Sequence, residues 1–359
     1  MKNVFSYRPA SLHGKRAALG RFAPPPRASS VLGKTESRSA AEARRPLARR
    51  FTVRGLIITF APLCLLTLTL PAAAWNKPGH MTTRAVAYHD LKANQALVAK
   101  LIAVLREHPD YETKWKPQVD EGATAGVPEA EVLLMMAARW PDDSDDGHRG
   151  QKGEWHYINT PLAFDGTVGK PAKPNNLVSA FPDRVQDFKS APNSAEGKIQ
   201  KAIALCWILH QLGDAHQPLH AVSLFSQRFQ GNAGDLGGNI FYVRYSEGGA
   251  TQKLHFVWDE AITGSYNLRQ LNQLAVTLRA ENPRAKFENI AEQKPQVWIE
   301  ESAALAKSVV YQNGMLQSGP NKNDGIVLPA GYSQERGRVG KQRGTLAGYR
   351  MADWLKSNL

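Results

Sequence analysis

From residue 75 onward, apolar residues recur mostly at helical spacing. In NQALVAKLIAVLREH (94–108), Leu97, Leu101, Ile102 and Leu105 share one face, which predicts an amphipathic helix stopped by Pro109. PEAEVLLMMAARW (128–140) opens with a proline and two glutamates. Both suit the electropositive start of a helix, and its end is expected before Pro141. SAEGKIQKAIALCWILHQLGD (194–214) joins a serine cap to a stripe of Ile199, Ile203, Cys206 and Leu209. Two further helices are predicted in VWIEESAALAKSVVYQ and in GTLAGYRMADWLKSNL. The one convincing strand signal is NIFYVRY (239–245), which, with a Gly-Gly turn and TQKLHFV, reads as a hairpin. Neither an internal repeat nor a Pro/Gly/Ser-rich linker interrupts residues 75–359. The expectation is a mainly α protein: a single large helical domain with a small β-hairpin.

The first 74 residues follow other rules. They hold 13 Lys and Arg against 2 Asp and Glu, so that of the whole chain's 45 and 32 the remainder keeps 32 and 30. The formal charge of +13 is therefore concentrated in a segment that lacks the apolar periodicity to fold, and the rest is nearly neutral. Within that segment, RGLIITFAPLCLLTLTLPAAAW places an arginine before an apolar run and then Ala72, Ala73 and Ala74, the layout of a secretory signal with a small-residue cleavage site. The run contains Pro62 and is short for the roughly twenty residues of a spanning helix, so cleavage after Ala74 and export to the periplasm or medium are expected, without lasting membrane insertion. Only Cys64 and Cys206 are present. Loss of Cys64 with the signal leaves one cysteine and no internal disulfide.

Candidate chemistry concentrates in HQLGDAHQPLH (210–220). His210 and Asp214 stand four residues apart, about 40° around a helix, and project together. His255 and Asp259 in LHFVWDEAI repeat the spacing. Such a pair suits a divalent cation, and equally a structural hydrogen bond. His80, His156, His216 and His220 also sit in polar or turn-rich settings, whereas His89, His108 and His148 read as ordinary surface or helix-end residues.

Several motifs, WNKPGH, RWPDD, WHYINTPL, LHQLGDAHQPLH, GDLGGN, LHFVWD and LAGYRMADWL, occur here in an order and spacing that resemble the zinc-dependent single-strand nucleases of the S1/P1 type, which are related in fold to zinc phospholipase C. The resemblance covers 75–359 and implies three Zn2+ ions. One is held by Asp142, His156, His210 and Asp214. A second shares Asp214 and adds His80 with the α-amino nitrogen and carbonyl oxygen of Trp75. The third takes His220, His255 and Asp259. Because an amide nitrogen has no lone pair to give, the role of Trp75 implies that signal cleavage completes the site.

The same resemblance implies hydrolysis of single-stranded DNA and RNA to 5′-phosphorylated products, with 3′-nucleotides as further substrates, by a monomer. Asp142 and Asp214 are the expected catalytic carboxylates, Asp142 orienting the attacking water. Tyr157 is expected to stack on a base, with a core aromatic as the equal alternative, and Asn159 stands where an aspartate commonly reads the base. Asp145 occupies the position of a phosphate-binding arginine, for which Arg149 and Lys152 are the candidate substitutes, with plain solvation as the alternative. His216 is expected to pack rather than bind metal. Two rival readings are a phospholipase C-like zinc phosphodiesterase, disfavoured by Asp259 where glutamate is typical, and a non-catalytic exported zinc-binding protein, disfavoured by a third site with only three ligands.

Overall fold

The structure, a computed structural model, describes residues 75–143, 152–231 and 233–359. The expectations for residues 1–74 and for Asp145, His148 and Arg149 lie outside these. The described part is mainly α, as the periodicity predicts, with two small sheets. No helix among the described residues is long and apolar enough to cross a membrane.

Helix α1 (Lys77–Leu91) is capped by Asn76, whose Oδ1 accepts from Gly79 N at 2.8 Å, and it is buried along most of its length. Around it pack α4 (Glu129–Asp143), α8 (Leu268–Glu281) and α10 (Tyr332–Asn358). Helix α6 (Ala195–Asp214) packs against α4 and is enclosed by neighbours over its last three turns, where every residue from Ala204 to Asp214 is buried. A helix apolar on all sides belongs in the interior. Ser194 caps it, accepting from Gly197 N at 3.1 Å. Around this core lie α2 (Gln95–Leu105), α3 (Lys116–Ala125), α5 (Leu177–Ser190) and α9 (Pro295–Leu305).

Three sequence expectations need correction. Helix α4 does not stop before Pro141 but continues to Asp143; a proline in the last turn forfeits one hydrogen bond, and the burial of Trp140 and Pro141 offsets that loss. Helix α10 begins twelve residues before GTLAGYRMADWL, through the polar, glycine-containing YSQERGRVGKQR, which carries little apolar periodicity. In TQKLHFV only Gln252–Lys253 is a strand (β4), antiparallel to β3 (Tyr242–Arg244), while Leu254–Asp259 forms the short helix α7. Ile326–Val327 (β5) adds to β3 in parallel. A second pairing was not signalled: β1 (Thr160–Ala163) runs parallel to β2 (Val222–Phe225), Thr160 opposite Val222. This pairing joins the chain after His156 to the chain after His220.

Two histidines read as surface residues are also packed. His108 is 3% exposed and stacks on Trp115 with ring centroids 4.1 Å apart. His89 lies 3.2 Å from Asn272 Nδ2, which also donates to both oxygens of the buried Glu131, at 2.9 and 2.7 Å.

This α1–α4–α8 contact makes stability depend on pH. Burial raises the Glu131 carboxyl from 4.5 to about 7, against the opposing effects of Asn272 and Lys92. Between those values the folded protein holds a proton that the unfolded chain releases, so the contribution of Glu131 is lost as pH rises through about 7. His89, pushed from 6.5 down to about 4 by burial and by Lys92 and Arg279, acts oppositely and hides much of the effect in acid. Glu131→Gln isolates it: relative to the native protein, the variant is expected to gain up to about 3 kcal/mol of unfolding free energy between about pH 5 and pH 8. Urea denaturation at the two pH values measures this, and an equal offset at both would refute it.

Candidate metal centre

The C-terminal end of α6 carries the residues around which the site is arranged. His210 and Asp214 are fully buried, with His210 Nε2 3.1 Å from Asp214 Oδ2. Asp142, on the last turn of α4, brings Oδ1 within 3.8 Å of the same His210 nitrogen. His156 reaches in from the short 3-10 turn Gly153–His156, its Nδ1 3.2 Å from Asp214 Oδ2 and 2.8 Å from His210 Nε2. From α1, His80 places Nε2 3.3 Å from Asp214 Oδ1 and 3.7 Å from Asp142 Oδ2. The second cluster lies beside it: His220 Nε2 is 3.2 Å from His255 Nε2, and His255 Nε2 is 3.6 Å from Asp259 Oδ1. His220 follows a 3-10 turn that starts at Pro218, after α6 has ended.

The histidine tautomers follow from the backbone. His210 Nδ1–H donates to Ala138 O at 2.7 Å, His220 Nδ1–H to His156 O at 2.6 Å and His255 Nδ1–H to Gly237 O at 2.6 Å. A carbonyl only accepts, so each neutral ring must carry its proton on Nδ1 and present a lone pair at Nε2. Two such lone pairs then face one another at His220 and His255, and a third meets the Asp214 carboxylate. Both Asp214 oxygens and both ring nitrogens of His80 are buried without an aligned hydrogen bond. Convergence of acceptor atoms repels unless a cation or a proton lies among them. Among the described residues, three groups have ligand atoms close enough to share an ion: His80, Asp142 and His210; His156, His210 and Asp214; and His220, His255 and Asp259.

Burial and close charges pull the individual groups in different directions. Burial alone would raise Asp214, but His210 and His156 hold it well below the usual carboxylate range. Asp259 goes the other way, lifted well above that range by burial and by the charges of Asp142 and Asp214, against a hydrogen bond from Gln217. His80 is held well below the usual imidazole value by burial and by His210.

Trp75 is fully buried, its indole Nε1–H donating to Gly213 O at 3.1 Å, and the next amide, Asn76 N–H, donates to Asp259 O at 3.0 Å. The first two described residues are thus tied to the chain beside Asp214 and to Asp259 itself. His216 stands apart. Its Nδ1–H donates to Leu212 O, its Nε2 lies 2.9 Å from Arg350 Nη1, and Arg350 and Arg343 both bind Glu301. Its ring therefore docks α6 against α10. Tyr157 and Asn159 line a cavity of about 190 Å³ with Lys170, Lys173, Phe225 and Leu236. Lys152 lies over the Trp155 ring, 4.6 Å from its centroid.

Three supporting residues escaped sequence reasoning. Arg84 is fully buried and donates to Leu209 O and His80 O; burial lowers it to about 9, while Asp214 and Asp142 oppose the shift. A Cβ at Gly213 would lie 2.6 Å from its guanidinium, so this position admits only glycine without a shift. The helical spacing of His80 and Arg84 was the available signal. Gln217 donates Nε2–H to Asp259 Oδ1 at 2.7 Å while its Oε1 accepts from Leu219 N. Asp235 accepts from Leu224 N at 2.8 Å and from Tyr311 Oη at 2.6 Å, which fixes the loop that supplies Gly237 O.

A helical domain that encloses such groups of histidines and carboxylates defines a class of protein able to bind metal at a buried site. The chain belongs to the S1/P1 nuclease family, whose model matches residues 75–359. It is similar to Endonuclease 5 of Arabidopsis thaliana, 25% identical over 82% of this chain and 93% of that protein. Nuclease S1 of Aspergillus oryzae is 26% identical over 62% of this chain and 78% of its own length.

Gly237 has φ +60°, and a Cβ there would lie 2.6 Å from Leu219 O. Gly237→Ala is expected to cost about 1–3 kcal/mol of unfolding free energy from backbone strain, read by urea denaturation. Gly231→Ala, with open space and an ordinary backbone, is the control, and equal behaviour of the two would remove the argument for a required glycine.

Proposed function

We propose that the protein is an exported, zinc-dependent phosphodiesterase that hydrolyses single-stranded DNA and RNA to 5′-phosphorylated products and acts on 3′-nucleotides. The observation that carries this reading is the set of carbonyl-fixed histidines, His210, His220 and His255, whose Nε2 lone pairs converge on buried carboxylates. Nitrogen and oxygen donors of this kind suit zinc. In this reading Asp142, His156, His210 and Asp214 hold one ion; Asp214, His80 and the terminal amine and carbonyl of Trp75 hold a second; His220, His255 and Asp259 hold the third. Bound zinc supplies Lewis-acid polarisation of a phosphodiester and acidifies water at neutral pH.

The chain's own groups do the rest. Asp142, at the end of α4, orients the attacking water. Gln217 keeps the Asp259 carboxylate in place by donating to one of its oxygens. Arg84, buried behind His80 and Asp214, offsets part of the negative charge gathered there. Tyr157 and Asn159, in the wall of a cavity beyond His156, receive an unstacked base, which a single strand can offer and a duplex cannot. Removal of residues 1–74 frees the amine of Trp75, and the bonds from Trp75 to Gly213 and from Asn76 to Asp259 support a terminus held at the centre.

The deciding experiment incubates zinc-loaded protein beginning at Trp75 with single-stranded DNA, RNA, a 3′-nucleotide and phosphatidylcholine. Hydrolysis of the first three, abolished by chelator and restored by zinc, is expected. Turnover of phosphatidylcholine alone, or nucleic-acid cleavage indifferent to chelation, would sink the proposal. One extra residue before Trp75 should sharply lower both zinc content and activity. Gln217→Ala is expected to weaken zinc retention or activity by about 10–100-fold, which metal analysis after dialysis and initial rates would show.

A further inference from the structure

A different cavity, about 370 Å³ in volume, opens on the far side of Trp207 from the metal centre and is lined by Lys152, Arg184, Asp187, Gln200 and Trp207, among others. Its charged lining is two cations, Lys152 and Arg184, against the carboxylate of Asp187, with Ser190 and Gln200 as the neutral polar side chains. Lys152 Nζ and the Arg184 guanidinium lie 4.6 and 4.2 Å from the centroid of Trp155, so the indole holds two cations close together. Among the described residues of the lining one carboxylate, Asp187, answers them, 2.8 Å from Arg184 Nη2. Arg184 Nε–H and Trp207 Nε1–H are buried with no acceptor, and Trp207 is only 1% exposed. Burial and the neighbouring Arg184 lower the Lys152 ammonium, as expected where positive charge exceeds negative in a partly desolvated space.

We propose that this cavity binds a nucleotide phosphate, with Lys152 and Arg184 as its donors; the proposal rests on the nucleic-acid-cleaving reading above. Phosphate brings the negative charge that Asp187 alone leaves unmatched against two cations, together with several acceptor oxygens. A carboxylate brings fewer acceptors, and a neutral base would leave the excess positive charge unanswered. The volume admits a nucleotide. Because cations already lie against the indole of Trp155, recognition is directed to the phosphate rather than to base stacking.

Position links the cavity to the metal centre. Trp155 directly precedes His156, its carbonyl accepts from Gln211 Nε2 at 3.3 Å, and its ring meets Trp207 edge-on at 5.1 Å. Trp207 in turn packs edge-on against His156 at 5.3 Å. A single indole layer therefore separates the cavity from a residue of the centre. The phosphate comes either from a remote nucleotide of the strand being cleaved or from a free mononucleotide, and these two sources give different kinetics.

The test compares zinc-loaded protein beginning at Trp75 with a Lys152→Gln, Arg184→Gln double variant, or with Lys152→Gln alone if the double variant does not fold. Tryptophan fluorescence is titrated with inorganic phosphate and with thymidine 5′-phosphate, and kcat/KM is measured on a dinucleotide and on a longer single-stranded oligonucleotide. Loss of charge-assisted hydrogen bonds is expected to weaken the fluorescence-detected site by at least about tenfold. If the strand is the source, the ratio of kcat/KM for the long substrate to that for the dinucleotide falls as well, with a weaker salt dependence on the long substrate. Weakened binding with an unchanged ratio assigns the site to a free nucleotide. Binding and ratio both unchanged would overturn the proposal. Failure of the native protein to cleave any nucleic acid would defeat the nuclease reading separately, while the titration still decides whether the cavity holds phosphate.

Discussion

Everything at the centre depends on backbone carbonyls that fix imidazole rings. Each Nδ1–H bond joins one segment of the site to another: His210 on α6 to Ala138 on α4, His220 to the carbonyl of His156, and His255 on α7 to Gly237 in the glycine-rich loop. The parallel pair β1 and β2 reinforces the second tie, because Ile158 N–H also donates to His220 O at 2.8 Å. Orientation and assembly are therefore the same event. No ring can take up its direction until the segment supplying its carbonyl is in place, and once there the ring has one tautomer, with Nε2 turned toward the neighbouring ligand atoms.

That arrangement concentrates groups that burial penalises. Asp142, Asp214 and Asp259 are each at most 6% exposed, and His80, His210 and His220 are fully buried. Arg84 is the fixed cation among them, and it is held by carbonyls of Leu209 and His80 rather than by bonds to the carboxylates. It can therefore offset charge without occupying the carboxylate oxygens. Gly213 makes room for it, and the carbonyl of the same glycine receives the Trp75 indole. One residue on the last turn of α6 thus accommodates both the internal cation and the start of the described chain.

How much of this was legible depended on whether a signal is local. The stripe of 194–214 and its serine cap are properties of one segment, and α6 follows them closely. The two His-x-x-x-Asp pairs were visible for the same reason. The extension of α4 through Pro141 was not, because whether a terminal-turn proline ends a helix is decided by the burial of Trp140 and Pro141, a tertiary matter. The strand reading of TQKLHFV failed similarly: its alternation extends through Leu254 and His255, but the chain turns helical where Gly238 O accepts His255 N–H. His108 and His89 looked ordinary because their neighbours, Trp115 and Asn272, come from other elements.

Charge distribution completes the argument about how such a protein meets a polyanion. With most of the basic excess in the first 74 residues, the net charge of residues 75–359 gives little from which counterion release could draw affinity. Discrete contacts must then supply it, and discrete contacts are worth most where water is excluded. Lys152 and Arg184 meet that condition: partly buried against Trp155, opposed by one carboxylate and one aromatic layer from His156. A nearly neutral exterior and a few desolvated cations together favour selection by local geometry over adhesion to any negatively charged polymer.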